Sequence, residues 1–164
     1  MIKNVKKNGF VLLETVFYII FFVILSLVVI NAMLTMTKAF KETSIQAELV
    51  QSGNIMERIS REIRQANGIN TISTSDLKLN TTNDAGAAKT VEFLLSGSNV
   101  QLVENSLLTG DLNALNITVT ALTFTQITSA KGTAVKIFLT VQSTDDTQNR
   151  TQDFYDTVVL RGVY

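Results

Sequence analysis

The chain contains no cysteine, no histidine and no proline. Without cysteine there is no disulfide, no thiolate metal site and no cysteine nucleophile. Without histidine it lacks the commonest general base and the commonest metal ligand, and with them most hydrolase constellations. The expectation is therefore a protein that is not an enzyme and carries no cofactor and no metal. The lack of proline acts on structure instead, because a long helix meets no proline kink and Gly53 is left as its softest point. Charge of either sign is also not in excess, with 14 basic against 14 acidic residues.

What the chain does have is an apolar stretch from Gly9 to Met36, interrupted by one carboxylate, Glu14. At about 1.5 Å per helical residue the stretch spans about 40 Å, more than the roughly 30 Å hydrocarbon core of a bilayer. Leucine, isoleucine, valine and phenylalanine occupy every side of the helix from Val16 to Ile30. No polar stripe remains to face water, so lipid or protein must cover it. Lys3, Lys6 and Lys7 precede the stretch and place the N-terminus in the cytoplasm by the positive-inside tendency, a bias that Lys38 and Lys41 weaken without reversing. A cleaved secretory signal would have a shorter apolar region and a small-residue exit site, which Asn31-Ala32-Met33 does not supply.

Glu14 lies about 6 Å along the axis from Phe10, near enough to the headgroups for its charge to be tolerated. An acid at the centre of a membrane helix would instead cost about 2.5 to 3.5 kcal/mol. Beyond Met36 the pattern becomes amphipathic. Ile45, Leu49, Ser52, Met56, Ile59, Ile63 and Ala66 recur at steps of three and four, with Lys41, Glu48, Glu57, Arg61 and Arg64 off that stripe. The spacing predicts a helix to about Ala66, supported by a Glu57 to Arg61 pair and stopped at Asn67-Gly68.

The remaining residues, 68–164, are rich in β-formers. One or two short strands are predicted over Ile69 to Leu79, then a loop from Asn80 to Ala88, then a hairpin turning at Ser96 to Asn99. Ile117 and Val119 share one parity and Leu122 and Phe124 the other, which predicts a bulge or bend near Ala121. Val135, Ile137, Leu139 and Val141 alternate, and Phe154, Val158 and Leu160 follow, with Arg161 facing out. The expected fold is α+β: a long N-terminal helix, membrane-spanning in its first half and amphipathic in its second, on one antiparallel sheet of five to seven strands.

The basic leader ending in Gly9, then Phe10, then Glu14 as the fifth residue after that point, then an unbroken apolar helix, resembles the prepilin-type signal of type IV pilins and type II secretion pseudopilins. Gly9-Phe10-Val11-Leu12-Leu13-Glu14 differs from the usual motif in Val11, where threonine is common. The resemblance implies cleavage between Gly9 and Phe10 by a prepilin peptidase and N-methylation of Phe10. It also implies pairing of Glu14 with the α-amino group of Phe10 on an adjacent subunit. Its partners would be other pilin or pseudopilin subunits, an inner-membrane assembly platform and the membrane itself. Residues 1–9 would be leader, 10–36 a transmembrane and filament-core helix, 37–67 its amphipathic continuation, and 68–164 an extracytoplasmic domain. Loss of residues 1–9 leaves eleven basic against fourteen acidic residues, a net charge of about −3, so nucleic acid is a partner only if the chain serves a competence system.

Arg58 to Ala66, the strand from Val91 to Leu95 and the run from Thr157 to Arg161 are similar to J-type pseudopilins and W-type minor pilins, while a competence-type pseudopilin has a comparable layout. Other features have plainer readings. Asp145, Asp146, Asp153 and Asp156 could bind calcium, but lack EF-hand spacing and read as a solvated turn. Asn80, Asn116 and Asn149 open N-x-T triplets that a threonine-rich chain produces by chance. Gly97 and Gly110 read as turn glycines, Arg58, Arg61 and Arg64 as a solvated helix face, and Phe93, Phe124 and Phe138 as core. Two other classes compete: a signal-anchored extracytoplasmic binding or adhesion domain, and, ranked last, an enzyme displayed at the cell surface.

Overall fold

A computed structural model describes residues 8–130 and 132–161. Its contacts divide the chain into two units, Met1–Ser44 and Ile45–Tyr164. The division falls inside the first helix, α1, Asn8–Gln51.

In the first unit α1 has the composition of a helix that water cannot cover. From Phe10 to Met36 every large apolar side chain is exposed. Five of its hydroxyls turn back on the helix: Thr15, Ser26, Thr35, Thr37 and Thr43 each donate to the carbonyl four residues back, at 2.8 to 2.9 Å. That leaves them no need of water.

In the second unit the end of α1 is followed by α2, Gly53–Gln65. The interruption is slight. Ser52 keeps helical dihedrals, but both its N–H and its hydroxyl donate to the Glu48 carbonyl, and Ile55 N–H turns back to Ser52 at i−3. The expected soft point at Gly53 is therefore one residue late. Gly53 serves packing: a Cβ there would sit 3.2 Å from Phe154 Cε1. All seven residues of the predicted stripe, Ile45, Leu49, Ser52, Met56, Ile59, Ile63 and Ala66, are buried, none more than 7% exposed. The stop differs from expectation. Ala66 turns extended and Asn67 N–H bonds to Asn80 O at 2.8 Å, so the chain enters a strand directly with no left-handed glycine cap. The ion pair on α2 is Arg58 to Glu62 at 3.0 Å, not Glu57 to Arg61.

Among the described residues eight strands follow: β1 Gly68–Ile72, β2 Asp76–Thr82, β3 Ala88–Ser96, β4 Asn99–Glu104, β5 Leu107–Asp111, β6 Ile117–Ser129, β7 Gly132–Ser143 and β8 Thr151–Val159. The α+β class stands, but the single sheet does not. β1 to β5 form one antiparallel meander and β6, β7 and β8 a second sheet. The separation is fixed at Asn113. Asn113, just after β5, accepts from Val100 N–H at 3.0 Å and donates to Ile117 O at 2.7 Å, so the chain is pinned at the edge of one sheet as it starts the other. The two sheets touch at backbone bonds from Val119 N–H to Ser98 O and from Phe124 N–H to Thr74 O.

The predicted bend is present as a register shift between Val119 and Ala121, and it carries Ile117, Val119, Leu122 and Phe124 to the same buried side. The hairpin turn holds too, with Ser96 paired to Asn99 and Gly97 at φ +62°. Two readings fail here. β2 runs on to Thr82, into the expected loop, and Gly110 lies within β5 beside a register shift rather than in a turn. Val135, Ile137, Leu139 and Val141 are wholly buried, and together with Leu77, Leu79, Val91 and Phe93 they build the core beneath the helical stripe.

Candidate functional site

The first turns of α1 hold the residues singled out in the sequence. Gly9 and Phe10 lie in the opening turn, and Phe10 is 80% exposed. Lys3, Lys6 and Lys7 lie outside the described residues. Glu14 is exposed on the helix surface, among Phe10, Leu13, Phe17 and Tyr18, which with it line a shallow depression. These five positions fall on one helical face. The contact that sequence reading missed is Tyr18, whose hydroxyl donates to Glu14 Oε1 at 3.2 Å. Its signal was available, since residues four apart on a helix are neighbours.

None of the most apolar part of the helix is buried. It is long and apolar enough to cross a membrane. Among the described residues it is the one helix that is.

The second unit offers less chemistry. Among the described residues no group of three or more acidic side chains is placed to hold a metal ion, and the carboxylates of Asp146, Asp153 and Asp156 have separate duties. Asp153 accepts from Thr140 Oγ1 at 2.8 Å, and Asp156 accepts from Ser60 Oγ at 2.5 Å and from Thr157 N–H at 2.8 Å. Asp146 departs from the solvated turn expected of it, being only 4% exposed. It accepts from the Gln148 and Arg150 N–H groups and from Arg150 Nε at 2.8 Å, closing the loop between β7 and β8. The Arg150 hydrogen bond, then that from Gln148, holds its carboxyl down at about 2. A carboxylate depressed in this way stabilises the fold above its unfolded value, near 3.8, and loses that contribution as pH falls through about 2. Asp146→Asn is therefore expected to lower the urea midpoint at pH 7, with the gap to the parent closing between about pH 3.8 and pH 2.

Asp76, at the start of β2, behaves oppositely. One of its oxygens is buried without a partner, and burial, then the charge of Glu92, raises its pKa against the pull of Lys78. The group favours folding below its unfolded value and loses that contribution as pH rises through the folded one. Asp76→Asn should be more stable than the parent in urea at pH 7 and equal to it near pH 3.

Arg58 is not free in the way a solvated face implies, because its guanidinium bridges Glu62 and comes within 4.0 Å of Glu104. Arg61 and Arg64 are exposed as expected. Phe93 and Phe124 are core, whereas Phe138 is half-buried and stacks on Tyr155 with ring centres 4.8 Å apart. A cleft of about 150 Å³ lies beside Glu48, Ser52, Asn54 and Asn113, and the Glu48 carboxylate in it already accepts from Ser143 Oγ at 2.8 Å. No family model, no curated protein and no solved structure matches this chain.

Proposed function

We propose that the chain is a minor pilin or pseudopilin subunit, stored as a single-pass protein of the cytoplasmic membrane and assembled into a pilus-like or type II secretion pseudopilus filament. The observation that carries this reading is the placement of Glu14. It is the only charged residue between Phe10 and Thr37, and it stands one turn from Phe10 on an apolar helix whose side chains are uncovered all round.

A prepilin peptidase on the cytoplasmic side would cut after Gly9, leaving Phe10 with a free α-amino group that is then methylated. In the membrane, lipid covers residues 10–36. In the filament, other copies of such helices replace lipid, and Glu14 becomes a desolvated carboxylate in need of a cation. The Phe10 ammonium of a neighbour supplies it. Pairing one patch to a different patch on the next subunit does not close, so assembly continues as a helix. The folded unit, joined to the helix by the stripe from Ile45 to Ala66, would coat the filament or, in a rarer subunit, prime or cap it. Arg58 to Ala66 through the end of α2, Val91 to Leu95 in β3 and Thr157 to Arg161 across the end of β8 support the J-type or W-type layout within this reading.

Isolation of filaments by shearing or membrane extraction tests the proposal, with the chain followed by antibody. Recovery of the processed chain in the filament fraction is expected. Its confinement to the membrane, in cells that make filaments, would favour a tethered binding domain.

A further inference from the structure

Among the hydroxyls with hydrogen bonds on α1, Thr15, Ser26, Thr35, Thr37 and Thr43 are spent on backbone carbonyls of their own helix. Tyr18 is different. Its phenol reaches a side chain, the Glu14 carboxylate, at 3.2 Å. A carboxylate in the outer part of a bilayer has two ways to limit its cost, to bend toward the headgroups or to find a donor beside it. The first swings the side chain off its helical face. The second keeps it there. Beside Glu14 the Thr15 hydroxyl is spent on Val11 O, and the side-chain donor that reaches the carboxylate is Tyr18.

We propose that Tyr18 is the positioning residue of Glu14, holding the carboxylate on the face formed by Phe10, Leu13, Phe17 and Tyr18 so that it meets the partner helix in register. The proposal rests on the reading of the chain as a filament subunit, and it adds a residue that the leader motif does not contain. In lipid the Tyr18 O–H restrains the carboxylate. When a subunit docks, the incoming ammonium finds an acceptor already aimed along the stripe, and Tyr18 stays as a second donor to it. Tyr18→Phe removes the hydroxyl and keeps the ring, so packing on the apolar face is preserved.

The test uses the full chain in its native membrane and in filaments. The infrared carboxylate band of Glu14, identified by its loss in Glu14→Gln, should shift in Tyr18→Phe. The assembled share of the protein should fall by about three- to tenfold, the range expected for a side-chain hydrogen bond within a membrane. In a Glu14→Leu background Tyr18→Phe should have no further effect, since the two residues act through one interaction. An unmoved band, an unchanged assembled share, or losses that simply add would overturn the positioning role. Mass analysis of the N-terminus in the same samples separates this from the parent reading. Processed, methylated Phe10 with no effect of Tyr18→Phe removes only the inference, whereas an uncut N-terminus removes the filament reading on which it rests.

Discussion

Replacing Glu14 with leucine is expected to yield a processed, membrane-resident protein whose share of the filament fraction drops by more than about tenfold. The sign follows from what each compartment asks of the residue. In lipid the substitution removes a charge from an apolar helix and makes storage easier. In the proposed filament it would leave the Phe10 ammonium of the neighbour without a counter-charge in a dry helix bundle. Breaking a desolvated pair by removing one partner costs about 3 to 5 kcal/mol, far more than the pair's net worth, because the other charge stays buried alone. Easier storage and harder assembly both shift the balance toward the membrane. Fractionation followed by quantitative immunoblot reads the ratio. Equal shares for parent and variant would mean that Glu14 is only a tolerated interfacial acid.

Phe93→Ala should produce the largest loss of stability in the folded unit, about 3 to 5 kcal/mol in urea denaturation of the detergent-solubilised protein. Phe93 has no exposed surface, and in β3 it stands in register between Leu77 of β2 and Leu102 of β4. Removing the ring opens a cavity between strands that are paired on both sides and cannot collapse inward without breaking register. Against a total stability of about 5 to 15 kcal/mol for a domain, that loss is severe. Phe138→Ala is the control. Its ring is half-buried against Tyr155, so truncation exposes surface instead of leaving a void, and its cost should be clearly smaller.

The difference between those two phenylalanines shows how far local pattern reaches. Strand membership was legible for both, but which face of the strand met the helix was settled by the partners of β3 and β7 across the sheets. The helical stripe from Ile45 to Ala66 could be read because its period of three and four is a property of one segment. The bulge near Ala121 could be read for the same reason, since a change of parity within β6 is local. The division into two sheets was not local. It depends on Asn113 bonding to Val100 and Ile117, and on β5, whose Leu107 and Leu108 are exposed at 74% and 59% and show no alternation. Asp146 looked like one of four surface acids, and its burial comes from the return of Arg150 four residues later. At the start of α1, Gly9, Phe10 and Glu14 stand out because a lone acid in an apolar run is unusual, whereas Tyr18 passes as one more aromatic until its hydroxyl is placed.

On the proposed reading the chain is cut between Gly9 and Phe10 and enters the filament pathway. Intact and peptide mass spectrometry of the membrane-extracted native protein tests it most directly. The expected result is a chain beginning at Phe10 and carrying one methyl group on its α-amino nitrogen. A chain still beginning at Met1, or cut after Asn31, would contradict it and leave a tethered or secreted β-rich domain in its place.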